Sequence, residues 1–218
     1  GVKVVILFSG DTGFYSGCGK LYETLKGRSD SSVRIYPGIS SVSYLAALTG
    51  DSYQDAAILS IHGHGADSEW IGNLTETIRF SEKTFLLMSG KEDVQKLGRL
   101  LQNYHLQNCT VLAGFQLSYP QEKVLALTPE ACEHVEETGL YICLILNPDA
   151  EKKAVTCGMR DEEFLRDKVP MTKEEIRALS ICKLHLKEDS VCYDIGSGTG
   201  SVAVEIAKRS GQIQVFAI

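Results

Sequence analysis

Two glycine-rich turns hold the residue types and spacings in this chain that could do chemistry. In the first, Asp194-Ile195-Gly196-Ser197-Gly198-Thr199-Gly200, an apolar run from Val191 to Ile195 meets a helical stretch from Ser201 to Ser210. Alternating glycines let backbone N–H groups and a helix N-terminus approach a ligand without side-chain clash. A dinucleotide-binding loop of the G-x-G-x-x-G type would place glycine at position 201, where this chain has Ser201. The second turn is Ser9-Gly10-Asp11-Thr12-Gly13. It follows Val4 to Phe8, a run that is apolar without alternation, and precedes a helical stretch from Phe14 to Leu25. That pattern predicts a strand buried on both faces, with the loop at its carboxyl end, where open α/β sheets bind ligands.

A third cluster is weaker. His62 and His64 follow the apolar run Ala56 to Ile61, and Asp67 is close by. Two histidines and one acid among glycines fall short of a closed metal shell, so we assign no metal and read the pair as hydrogen-bonding groups at a domain cleft. His105, His134 and His185 read as surface residues of helices or their ends. The seven cysteines are scattered through apolar segments with no C-x-x-C pair, which predicts free thiols in a reduced compartment.

Strands and helices alternate along the elements that must position these turns. The pattern predicts strands at Val33–Tyr36, Ala56–Ile61, Thr84–Met88, Cys109–Ala113, Lys123–Leu127 and Tyr141–Leu146. Helices are predicted from Ser40 or Ser41 to Leu48, over Trp70–Phe80 and Glu92–Tyr104, and over Pro129–Glu137 with proline in the first turn. A charged stretch with Pro148 interrupts this order, so the chain divides into a domain at 1–148 (lobe boundary near 54), a linker at 149–160 and a further segment at 161–218. In that last segment Asp161–Arg166 reads as a short helix. Thr172 is placed to cap a helix from Lys173 to His185, with Glu175 at capping-box spacing, and strands are predicted at Val191–Ile195 and Gln214–Ile218. A two-stranded parallel βαβ unit cannot cover both faces of its sheet, so the chain reads as a fragment.

Composition narrows the function classes. A net charge of −6 with no basic run disfavours a nucleic-acid partner. No apolar run reaches the roughly 18 residues a membrane span needs, and no signal peptide opens the sequence, which makes the cytoplasm the default.

The G-x-G-x-G turn with its preceding acid resembles motif I of class I S-adenosylmethionine (SAM) methyltransferases. Ser9 to Gly17 resembles the G-D-P-G-F-Y-S loop of the class III, or tetrapyrrole, methyltransferases, with Thr12 in place of proline. Pro37 to Tyr44, Ser60 to His64 and Leu117 to Glu122 are similar to later blocks of that family. Both domains in this order, with Val169-Pro170-Met171-Thr172 before the first helix of the class I domain, resemble the bifunctional precorrin methylases of cobalamin biosynthesis. The resemblance implies a two-lobed α/β domain, lacking its N-terminal glycine-rich strand-loop, followed by the start of a Rossmann-like class I domain. It also implies SAM as cofactor and a precorrin or cobalt-precorrin as substrate, methylated at C5 by the first domain and at C15 with decarboxylation by a complete second domain. A homodimer is implied as well.

By matching position, SAM in the first site would touch Gly10, Asp11, Ser40, Ser41, Met88, Ala113 and Gly114. In the second it would touch Thr172, Gly196, Ser197, Gly198, Thr199 and Gly200. Lys20, Arg34, Lys91 and Arg160 are candidates to orient the macrocycle's carboxylates, and no general base is assigned. The competing readings are another tetrapyrrole methylase, a nucleotide-binding oxidoreductase and a non-catalytic nucleotide-binding fragment.

Overall fold

A computed structural model describes residues 2–28, 32–61, 68–152, 158–165 and 169–218. The chain divides into two compact units, Gly1–Gly65 with Thr77–Glu151, and Ala66–Glu76 with Lys152–Ile218.

The first unit is built on a five-stranded sheet in the order β1-β2-β5-β3-β4, from β1 (Ala57–Ser60), β2 (Lys83–Leu87), β3 (Thr110–Phe115), β4 (Lys123–Leu127) and β5 (Tyr141–Leu146). β1 and β2 run parallel, and α3 (Ser68–Phe80) lies between them in the chain. The other pairs are antiparallel. α2 (Ser41–Thr49) starts where Ser40, in extended backbone, accepts the Ser43 N–H through its hydroxyl at 3.1 Å, and it ends at Gly50 with φ +73°. Val42, Leu45 and Ala46 share one face of this helix and pack on Phe85, Ile142 and Leu144 of the sheet. Alternate strand residues such as Leu86, Cys143 and Ile145 point the other way and are also buried. α4 (Lys91–Asn103) packs on β5, and α5 (Pro129–Cys132) on β3 and β4; Val94, Leu97 and Leu101 give α4 its buried stripe.

Several expected elements are shorter than their sequence pattern, or absent. Residues 4–8 are not a strand. Val4, Val5 and Leu7 are largely exposed, because no other described segment pairs with them and an apolar run becomes a strand only beside a partner. Val33–Tyr36 likewise has no ladder. The first helix, α1, covers Cys18–Leu25 and not Phe14–Leu25, since Tyr15 takes φ +48° and breaks the turn before it. α5 stops at Cys132 where a helix to Glu137 was expected. The carbonyls of Val135 and Glu136 accept side-chain donors from α4, Gln95 at 2.8 Å and Lys91 at 3.1 Å.

The second unit pairs β6 (Val191–Asp194) with β7 (Gln214–Ala217) in parallel through α7 (Ser201–Ala207), and α6 (Glu174–Lys183) packs on α7. Lys173 occupies the N-cap of α6 with no side-chain cap bond, so Thr172 does not cap that helix. Its carbonyl instead accepts Arg177 Nη1 at 2.7 Å. Of the expected short helix, Asp161–Glu163 form a 3₁₀ turn, and Arg166 lies outside the described residues.

Arg177 and Glu205 are fully buried and joined Nε to Oε2 at 2.6 Å. Arg177 also bonds Asp161 Oδ1 at 3.1 Å and the Met159 carbonyl at 2.5 Å, while Phe164 lies 4.6 Å below its guanidinium. Glu205 accepts Gly158 N–H at 2.7 Å and Arg209 Nη2 at 2.8 Å. Burial works against the charge of Glu205. Arg177 and the N–H groups of Gly158 and Met159 outweigh it and hold the carboxyl below its usual range. One ion pair thus pins residues 158–164 to α6 and α7.

Candidate functional site

The first unit contains a cleft of about 410 Å³ whose walls come from five separate stretches of chain. Its floor is one rung of the sheet. Leu87, Ile142 and Gly114 are register partners across β2, β5 and β3, at the carboxyl ends of β2 and β3. A Cβ on Gly114 would stand 3.0 Å from Leu45 Cδ1 and 3.1 Å from Leu117, so glycine keeps this rung open. Met88 lies beside the floor with its sulfur 3.5 Å from Cys143 Sγ.

One wall is the turn Ser9-Gly10-Asp11 with Phe14 and Tyr15. Gly10 has φ +73°, and Asp11 Oδ1 accepts Gly13 N–H at 2.7 Å to close the turn. A Cβ on Gly38 would fall 2.2 Å from the Gly10 carbonyl, so the two loops touch backbone to backbone. Thr12, where the family pattern has proline, uses its hydroxyl to bond the Tyr36 carbonyl at 3.0 Å, a second tie between the same loops. Ser40, Ser41 and Tyr44 at the start of α2 form the next wall, and Leu117, Ser118 and Tyr119 face them. Leu140 and Tyr141 complete the enclosure.

Six of the seven residues expected at the first site, Gly10, Asp11, Ser40, Ser41, Met88 and Gly114, therefore line one cleft. Ala113 does not; it is fully buried behind Gly114, because adjacent strand residues face opposite ways. Position-matching missed Tyr44, Leu117, Ser118, Tyr119 and Tyr141. The block from Leu117 to Glu122 carried the available signal. Asp11 is the one carboxylate among the lining residues, which include no Lys, Arg, His or Cys. The neighbouring Glu122 carboxylate holds the Tyr44 phenol above its usual range. Burial, with the nearby charge of Glu137, pushes Tyr141 up to about 12. Both phenols stay neutral near pH 7. None of Lys20, Arg34, Lys91 and Arg160 lines the cleft.

In the second unit the 194–200 turn adopts the expected backbone. Gly196, Gly198 and Gly200 have φ of +77°, +55° and +71°, in the left-handed region where side chains are costly. Gly196 and Ser197 donate their N–H groups to the Ile218 carbonyl at 2.8 and 3.1 Å, and Gly200 donates to Ser197 at 2.8 Å. Fewer of its amides are thus open to a ligand than the spacing implies. Gly198 and Thr199 make no such backbone bond among the described residues. Asp194 Oδ2 is buried without a hydrogen-bond partner, an acceptor fitted to a donor or cationic ligand group. The segment bearing Thr172 passes this turn, since a Cβ on Gly198 would meet Val169 Cγ1 at 3.8 Å. The Thr172 side chain itself is exposed.

His62, His64 and Asp67 lie outside the described residues. Among the described residues no group of three or more His, Cys, Asp or Glu is placed to hold a metal ion, and no helix is long and apolar enough to cross a membrane. Six cysteines are free thiols there; burial pushes Cys109 up to about 11 and Cys132 up to about 12.

Comparison with known proteins bears on both units. Residues 1–131 match the family of tetrapyrrole (corrin/porphyrin) methylases, and residues 162–218 match a precorrin methyltransferase domain. A probable cobalt-precorrin-6B C(15)-methyltransferase (decarboxylating) of Methanocaldococcus jannaschii is 62% identical over 50 residues, 22% of this chain and 27% of that protein. The corresponding Salmonella typhimurium protein is 52% identical over 61 residues, 28% of this chain and 32% of its own length. The matched part is thus about a third or less of these relatives. A solved cobalamin biosynthetic enzyme, cobalt precorrin-4 methyltransferase, shares the fold with a TM-score of 0.50 and 18% identity, over 62% of this chain and 60% of that one.

Proposed function

This chain belongs to the tetrapyrrole (corrin/porphyrin) methylases, and from that premise we propose that it serves SAM-dependent C-methylation of a precorrin or cobalt-precorrin macrocycle in cobalamin biosynthesis. The observation that carries the reading is the gathering of Gly10, Asp11, Ser40, Ser41, Met88 and Gly114 around one cleft from distant parts of the chain. In the complete protein, the 1–148 domain is proposed to act at C5. The 161–218 segment contributes the glycine turn of a C15-methylating, decarboxylating domain, joined through residues 149–160. The match of residues 162–218 to a precorrin methyltransferase domain supports that second assignment. A cytoplasmic homodimer is the working assembly.

SAM would be held in the first unit by the Gly10–Asp11 turn, Ser40, Ser41, Met88 and Gly114, with Ala113 backing the floor. In the second unit it would be held by Thr172 and the turn Gly196, Ser197, Gly198, Thr199 and Gly200. Both sites fit it. The first offers one carboxylate for a cationic group and a helix N-terminus for an anionic one, and the second offers the orphaned Asp194 oxygen. The cofactor would supply a methyl group on a sulfonium that is its own leaving group.

The chain's residues then have two tasks. Gly10 and Gly114 leave space for close approach, and the two loops joined at Gly38 fix the turn, so the reacting partners are aligned. Phe14, Leu87, Met88, Leu117 and Ile142 exclude water. Neutral Tyr44 and Tyr141 supply hydrogen bonds and no base. The hollow that shares Tyr119 and Leu140 with the cleft, about 490 Å³ and lined also by Gln116 and Gln121, is the proposed seat of the macrocycle.

Photo-crosslinking of methyl-labelled SAM to the chain, followed by peptide mapping, tests the assignment. Label is expected on peptides containing 9–15 or 117–119 and displaced by S-adenosylhomocysteine. Labelling displaced by NADH alone would replace the methylase reading with the oxidoreductase one.

A further inference from the structure

We infer that Arg177 is a positioning residue for the second site, where it holds Thr172 in place beside the Gly196–Gly200 turn. The inference rests on the SAM reading of that turn. The guanidinium is fully buried and donates to acceptors on three stretches of the chain. Nε bonds Glu205 Oε2 on α7 at 2.6 Å. Nη1 bonds Asp161 Oδ1 at 3.1 Å and the Thr172 carbonyl at 2.7 Å, and Nη2 bonds the Met159 carbonyl.

Two arms of this network end on the two halves of the site. α7 starts at Gly200, its N-cap, so Glu205 fixes the helix that the glycine turn opens. Thr172 directly precedes Lys173, the N-cap of α6, and the residues before it run along the turn. A Cβ on Gly198 would meet Val169 Cγ1 at 3.8 Å and the Pro170 carbonyl at 3.9 Å. Thr172 makes no backbone-to-backbone bond among the described residues, and its side chain is exposed, so the guanidinium is the tether on its carbonyl. An arginine that only neutralised Glu205 would not reach Thr172. The planar fork does both at once, which a single ammonium on a flexible stem cannot. Arg177 thus sets the gap between Thr172 and the turn, and with it the fit of the cofactor.

The test compares the unaltered full chain with Arg177→Lys and with the pair Arg177→Met, Glu205→Leu. Lysine keeps a charge opposite Glu205 and the apolar pair leaves no bare charge, so both spare the core while losing the fork. Residue-resolved NMR gives three readouts: amide exchange in α7, the carbonyl carbon shift of Thr172, and the S-adenosylhomocysteine concentration, up to millimolar, that half-shifts the Gly198 and Thr199 amides. We expect α7 to stay protected in both variants and the Thr172 carbonyl signal to move. The half-shifting concentration should rise about tenfold or more, as loss of a hydrogen bond from a charged donor implies. A structural role alone would leave that concentration unchanged once α7 is protected. A concentration within about twofold of the unaltered chain's in both variants overturns the positioning role alone, and so does a loss of affinity with the Thr172 carbonyl signal unmoved. If the apolar pair leaves α7 unprotected, Arg177→Lys decides by the same criteria. Failure of the Gly198 and Thr199 amides of the unaltered chain to respond to millimolar ligand overturns the cofactor reading of the turn, and the positioning role with it.

Discussion

The two units hold their candidate sites by opposite means. In the first, an apolar sheet core of Leu45, Phe85, Ile142 and Leu144 supports a cleft whose walls come from stretches more than a hundred residues apart in the chain. In the second, the turn is contiguous and local, and the surrounding segments are pinned by a buried ion pair, Arg177 with Glu205. The apolar side of that small unit is open. Tyr193 stacks on Phe216 at 5.2 Å with both rings partly in solvent, and Ile195 and Ile218 are exposed. A glycine turn can thus be written into seven consecutive residues, while a cleft has to be assembled by a whole sheet. The turn depends on backbone dihedrals, the cleft on packing.

The largest break in this contrast is expected at the ion pair. Removing one partner of a buried pair leaves a bare charge, so Glu205→Ala should destabilise the second unit by about 3–5 kcal/mol. The first unit's melt should be unchanged, as read by amide exchange in α7 against β5. Replacing both partners together, Arg177→Met with Glu205→Leu, should recover most of the loss. The pair also fixes a pH dependence. The Glu205 carboxyl is held below its usual range in the fold, so its contribution is complete above the unfolded value of about 4.3 and is lost as pH falls below it. Acid should therefore weaken α7 before the sheet of the first unit, and the Arg177→Met, Glu205→Leu pair should blunt that order.

A smaller effect is expected at the cleft floor. Gly114→Val pushes against Leu45, which is fully buried, and should cost about 1–3 kcal/mol in thermal or urea unfolding. Smaller still is the cap of α2, where Ser40→Ala should cost about 1 kcal/mol. If Ser40→Ala proved as damaging as Glu205→Ala, the claim that the first unit rests on its apolar core would be wrong.

Legibility in the sequence follows the same division. The 194–200 turn could be read because alternating glycines state a local dihedral requirement, and the structure places all three at positive φ. The Ser40 cap was readable for the same reason. Val4 to Phe8 misled, since the composition of a buried strand says nothing about whether another strand lies beside it. Arg177 and Glu205, 28 positions apart on separate helices, carry no spacing signal at all. Matching to family blocks placed six of the first-site positions on the cleft. It could not distinguish Ala113 from Gly114, because which of two neighbouring strand residues faces the cleft depends on sheet register.

The most direct measurement is calorimetric titration of S-adenosylhomocysteine into the unaltered chain, Asp11→Ala and Gly198→Val. Binding by the unaltered chain that is lost in Asp11→Ala and kept in Gly198→Val is the expected result, placing the working site in the assembled cleft. Binding lost only in Gly198→Val would move it to the contiguous turn, and no binding by the unaltered chain, with tight uptake of NADH, would contradict the methylase reading outright.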